Sequence, residues 1–105
     1  MKKILTLSFC LAAIAGARAE STNVITQADH AFSQVEITIK PGDKLVFTNA
    51  DSVTHNVFSK SEANAFDIRV QKPGEATMIQ FDQAGDTEVR CAIHPRMKII
   101  VHVQK

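Results

Sequence analysis

Seven consecutive residues, Cys91-Ala92-Ile93-His94-Pro95-Arg96-Met97, carry a thiol, an imidazole and a thioether. These are metal donors of graded softness. Sulfur favours monovalent copper and imidazole accepts the divalent ion as well, so the set suits copper that cycles between two oxidation states. Two residues between Cys91 and His94 leave room for a tight turn around one ion, and Pro95 belongs to that turn. A lone C-x-x-H is weak evidence, because an isolated Cys is often buried as a small hydrophobe. Met97, at a loop edge before an apolar run, strengthens the metal reading over core filler. The segment is half of a copper site, and a further imidazole must come from upstream.

Three other histidines are available. His55 stands between the turn-rich stretch 49–54 and the apolar pair Val57-Phe58, where a surface His is as ordinary as a ligand. Asn56 beside it is placed to hydrogen-bond across to the Cys-bearing loop and brace the site before metal arrives, although it is also an ordinary turn residue. His102, between Val101 and Val103, projects to solvent if those two are buried. His30 falls in a polar segment before the first strong strand. His30 and His102 are therefore left out of the site.

The elements around these residues read as all-β. Val35, Ile37 and Ile39 alternate with Glu36, Thr38 and Lys40, which is the period of a half-buried strand. Lys40-Pro41-Gly42-Asp43 has type II turn chemistry, so a hairpin into Leu45-Val46-Phe47-Thr48 is expected. Phe66 to Val70, Lys72-Pro73-Gly74-Glu75 and Ala76 to Phe81 repeat the plan. Residues 59–65 read as a loop or a single helical turn. Thr87, Val89 and Cys91 share one strand face, which points Cys91 inward at the strand end. The last strand, Lys98 to Val103, follows Met97 directly, so the ligand loop is clamped between two adjacent strands. A two-sheet sandwich of about eight strands buries these faces economically.

Met1 to Ala19 has the form of a secretory signal peptide: Lys2 and Lys3, then the apolar run Ile4 to Gly16, then Ala17-Arg18-Ala19. The run is too short to span a bilayer as a helix, and no membrane span is expected in the mature domain, residues 20–105. Phe9 argues against lipoprotein cleavage before Cys10. Cleavage after Ala19 removes Cys10, so Cys91 becomes the only cysteine of an exported chain, and metal ligation would protect such a thiol. It also removes three basic residues and leaves nine against eleven acidic ones, a formal charge of −2. That balance argues against nucleic acid as partner.

From Val35 to Val103 the chain resembles the cupredoxins, the type I blue copper proteins, and within them the plastocyanin, pseudoazurin and amicyanin group. The resemblance rests on Lys40-Pro41-Gly42-Asp43, Asn49-x-Asp51, His55-Asn56, Ala84-Gly85 and Cys91-x-x-His94-Pro95-x-Met97, whose short spacings are similar to amicyanin. It implies a Greek-key β-sandwich, one copper ion held by His55, Cys91, His94 and Met97, and Asn56 as the brace between loops. By the same resemblance the protein is a monomeric, periplasmic single-electron carrier rather than an enzyme. Its redox partners would be an amine dehydrogenase or a cytochrome or oxidase, and Arg96 favours one with acidic groups. The alternatives are a protein that binds and delivers copper without carrying current, and a structural β-sandwich module with a surface metal site or a subunit that docks to an oxidoreductase and has lost the copper.

Overall fold

The computed structural model describes residues 19–105, so the expected signal peptide, Ala19 apart, lies outside them. Nine strands among the described residues form two sheets. The first sheet contains β1 (Thr22–Ala28), β2 (Ala31–Phe32), β4 (Asp43–Asn49) and β7 (Ala76–Phe81), in the order β2-β1-β4-β7. The second contains β3 (Glu36–Ile39), β5 (Val57–Ser59), β6 (Phe66–Asp67), β8 (Gly85–Cys91) and β9 (Lys98–Val103), in the order β3-β9-β8-β5-β6. The all-β sandwich expected from the sequence is therefore the fold. Two of its strands, β2 and β6, are only two residues long.

Strand alternation builds the core. Leu45 and Phe47 of β4, Ile25 of β1, Val89 of β8 and Ile99 and Val101 of β9 have no solvent exposure. Burial of each such side chain contributes roughly 1.5–3 kcal/mol. With no Trp or Tyr in the chain, phenylalanines carry the aromatic packing. Phe66 of the second sheet reaches between Phe47 and Phe81 of the first, with ring centroids 6.1 and 6.0 Å away, and Phe32 stands 6.2 Å from Phe47.

Both Lys-Pro-Gly turns form. Asp43 N donates to Lys40 O at 3.0 Å and Glu75 N to Lys72 O at 3.1 Å, with Gly42 and Gly74 at φ of 96° and 87°. That is the positive φ a type II turn requires. Neither turn closes a hairpin, however. β3 pairs with β9 while β4 pairs with β1 and β7, so each turn carries the chain from the second sheet to the first. The reason is burial: β4 has a full inward face that the first sheet needs at its centre.

Three further expectations change. Val35 is 77% exposed and precedes β3, so only Ile39 of that alternating set is buried in the core. The strand expected over 66–70 stops at Asp67, because Arg69 takes a left-handed φ of 58°. Ahead of all this lies β1, whose polar composition hid it. Its buried face is Ile25 and Gln27, and it runs parallel to β4 with Ile25 opposite Phe47.

Candidate metal centre

Cys91 ends β8, and its side chain is 1% exposed because Thr87, Val89 and Cys91 form the inward face. His55 lies just before β5 and has no exposure. It is fixed by a two-way bridge: His55 N donates to Gln71 O at 3.0 Å and Gln71 N to His55 O at 2.7 Å. Antiparallel pairing of β5 with β8 sets Val57 opposite Cys91, which brings the residue before β5 to the end of β8. The loop 92–97 then returns His94 to the same point. Its turn is closed by Met97 N donating to His94 O at 3.0 Å, and the Arg90 guanidinium donates to Pro95 O at 3.0 Å.

The result is a triangle of donors. His55 Nδ1 lies 3.6 Å from Cys91 Sγ and 3.2 Å from His94 Nδ1, and His94 Nδ1 lies 3.8 Å from the sulfur. A point equidistant from the three is about 2.1 Å from each, the length of a metal–imidazole bond and close to a metal–thiolate bond. One ion therefore fits among them with no rearrangement of the scaffold. Met97, the fourth residue expected from the sequence, is 2% exposed at the junction of the loop with β9.

Asn56 braces the site through its main chain. Its main-chain N–H donates to Cys91 Sγ at 3.3 Å and its carbonyl accepts from Ala92 N at 3.1 Å. The side chain turns the other way and donates to Asp67 Oδ1 at 3.0 Å and Arg69 O at 2.6 Å. Strand pairing puts the backbone of Asn56 against the Cys-bearing strand, which leaves the amide for the exit of β6.

Two residues near the centre were not read as part of it. Asp51 Oδ2 lies 2.6 Å from His55 Nε2, and Asp51 Oδ1 and Oδ2 accept from Asp29 N at 2.6 Å and His30 N at 3.1 Å. Burial pushes the Asp51 carboxyl up, but these hydrogen bonds, that of His55 foremost, bring it below the ordinary carboxylate value. The sequence signal was an acid four residues before a candidate ligand. His30 packs edge-on to His94 with ring centroids 4.5 Å apart, and stands 6.1 Å from His55. It sits in the β1–β2 turn, where Asp29 and His30 take φ of 52° and 57°, and nothing in the local sequence announces that approach. His94 is held below the ordinary His value by loss of solvent, and by repulsion from His30 and His55.

His102 stays outside the site, bonded to Glu36 Oε1 at 2.9 Å and Asp86 Oδ1 at 2.8 Å. Around His94 the surface forms a hollow of about 600 Å³ lined by Asp29, His30, Ile93, His94, Pro95 and Arg96.

A two-sheet sandwich with a cysteine sulfur and two imidazoles gathered at the end of its strands defines a cupredoxin, and copper is the ion such a donor set takes. The chain belongs to the copper binding proteins of the plastocyanin/azurin family, whose family model matches residues 19–104. Among solved structures it is similar to amicyanin from Paracoccus versutus, at 28% identity over 86% of this chain and 87% of that one, with a TM-score of 0.71. A purple cupredoxin from Nitrosopumilus maritimus shares the fold at 22% identity, over 78% of this chain and 99% of that one, with a TM-score of 0.70. A copper-containing nitrite reductase from Thermus scotoductus SA-01 shares it at 23% identity and a TM-score of 0.74 over 96% of this chain, which spans 27% of that enzyme. Comparison of the sequence with curated proteins gave no match.

Proposed function

We propose that the protein is a type I copper protein that carries single electrons between redox partners, with His55, Cys91 and His94 as strong ligands and Met97 as the weak fourth. The donor triangle carries this reading. Its three atoms already stand at bonding distance from one point, so the scaffold accepts either oxidation state with little movement. Cys91 binds as thiolate and both imidazoles bind through Nδ1. Four protein ligands leave no open position for a substrate, in contrast with a catalytic metal site, which favours a carrier over an enzyme.

His94 is the one partly exposed strong donor, and it is the side from which an electron would leave. The half-exposed Ile93, with Pro95, offers a small apolar contact beside it, and Arg96 adds a cation. A partner with acidic groups around its own redox centre fits this surface, as an amine dehydrogenase, a cytochrome or an oxidase could supply. The signal-like residues 1–19 support export, with the mature domain beginning at Glu20 and acting as a monomer in the periplasm. Mass analysis of the protein from a periplasmic fraction tests the cleavage.

Adding Cu(II) to the purified chain should give an intense visible charge-transfer band that bleaches on reduction and returns on reoxidation, with a reversible voltammetric wave. A colourless protein that holds only Cu(I) and passes it to a chelator would instead establish copper delivery.

A further inference from the structure

We propose that Asp51 is the positioning carboxylate of the metal centre, fixing which nitrogen of His55 faces the ion and placing a negative charge behind it. The inference rests on the reading of His55 as a ligand. His55 is fully buried and the Asp51 side chain is 10% exposed, with the carboxylate 2.6 Å from Nε2. An ionised carboxylate only accepts hydrogen bonds, so Nε2 must be a donor toward Asp51 and Nδ1 is the nitrogen left to face an ion. Nδ1 is the atom that faces Cys91 Sγ and His94 Nδ1. In the metal-free chain the same bare nitrogen can accept the Nδ1–H of His94.

The carboxylate is itself immobilised. Asp51 N donates to Asn49 Oδ1 at 2.9 Å, and Asn49 Nδ2 donates to Val53 O and Gln71 O. Its two oxygens take three donors, two of them the backbone N–H groups of Asp29 and His30. Those bonds hold the left-handed β1–β2 turn, and the turn sets the His30 ring against His94. One side chain thereby orients a buried donor directly and the neighbour of a partly exposed donor indirectly. A carboxylate behind a ligating imidazole makes that ligand more basic, which favours Cu(II) over Cu(I) and lowers the reduction potential.

Asp51→Asn removes the charge and can present only one oxygen, so an NH2 group faces an N–H donor whichever way the amide is turned. In that variant Cu(II) affinity should fall by about 10–100-fold, with a smaller change for Cu(I), and each tenfold difference raises the potential by about 59 mV. Asp51→Glu, which keeps the charge, should lie nearer the native potential than Asp51→Asn. Independently, 15N NMR of the native metal-free chain should find the His55 hydrogen on Nε2. This readout needs neither copper nor a variant that folds. A hydrogen on Nδ1, or an unchanged potential in a folded Asp51→Asn protein, overturns the proposal. Failure of the electron-carrier reading would show in the native protein as copper that neither colours nor cycles, whatever the tautomer.

Discussion

The backbone N–H of Asn56 points at the sulfur of Cys91 across 3.3 Å. With the bond from Ala92 N to Asn56 O, it ties the segment carrying His55 to the strand carrying Cys91 through main chain alone. The sulfur is therefore held by strand pairing and does not depend on an ion to stay in place.

Cys91→Ser should accordingly abolish the charge-transfer band while the metal-free fold persists, with a stability change of only about 1 kcal/mol, since the hydroxyl can still accept from Asn56 N–H. Visible absorption of the copper-loaded variant and its far-ultraviolet circular dichroism measure the two halves. A full band in the variant would show that Cys91 is not the thiolate ligand.

His55→Ala should lower Cu(II) affinity at least about tenfold, since even loss of a group supporting a ligand costs that much. It also opens a cavity the size of an imidazole, so added imidazole should restore colour in part. His30→Ala, in contrast, should leave the band in place. If His55→Ala kept its spectrum and affinity while His30→Ala lost them, the donor assignments would have to be exchanged.

Gln71 is 1% exposed and bonds Phe47 O at 2.9 Å, Thr77 Oγ1 at 3.3 Å and, through its own Oε1, Gln27 Nε2 at 2.6 Å. Gln71→Ala leaves buried polar partners unmatched and should cost about 2–4 kcal/mol. Because Gln71 holds His55 through its main chain, the copper spectrum should survive. Denaturant unfolding and absorption, measured on the same sample, separate the two effects.

His102 of β9 joins Glu36 of β3 and Asp86 of β8, and its value is raised above the ordinary 6.5 by the hydrogen bond to Glu36 first and that to Asp86 second. The folded state thus favours the charged ring. Its stabilisation is complete below the ordinary value and is lost as pH rises through the raised one. Native protein should lose stability from pH 6 to pH 8 by more than His102→Gln does. Equal losses in denaturant titrations of the two proteins would show that the pairing is solvated away.

Chemistry that sits within a few residues was legible in the sequence. The turn that brings His94 back to Cys91, the inward face of β8 and both Lys-Pro-Gly turns depend on local spacing, and the structure has them where the residues said. What lies on the far side of a turn is not a local property. Pro41 and Gly42 specify a reversal, but whether β4 lies beside β3 or crosses to the other sheet is decided by which faces need burying. β1 was hidden because a buried Gln27 replaces the apolar residue that alternation would lead one to seek, and its Nε2 donates to Thr48 O and Gln71 Oε1. His30 reaches the centre through a turn that takes its shape from its bonds to Asp51, 21 or 22 residues away.

The parallel pairing of β3 with β9 governs the order in which the molecule can be made. Among the described residues β3 has no sheet neighbour but β9, and Glu36 meets Ile100 roughly sixty residues further on, a separation that makes closure slow. A chain emerging from a ribosome or a membrane channel N-terminus first can assemble β1, β4 and β7, but one half of the sandwich stays unsealed until residues 98–103 have emerged. The soft donors of 91–97 come out just before that strand, so Cys91 and Met97 stand open to passing metal only in the short interval before β9 pairs and closes over them.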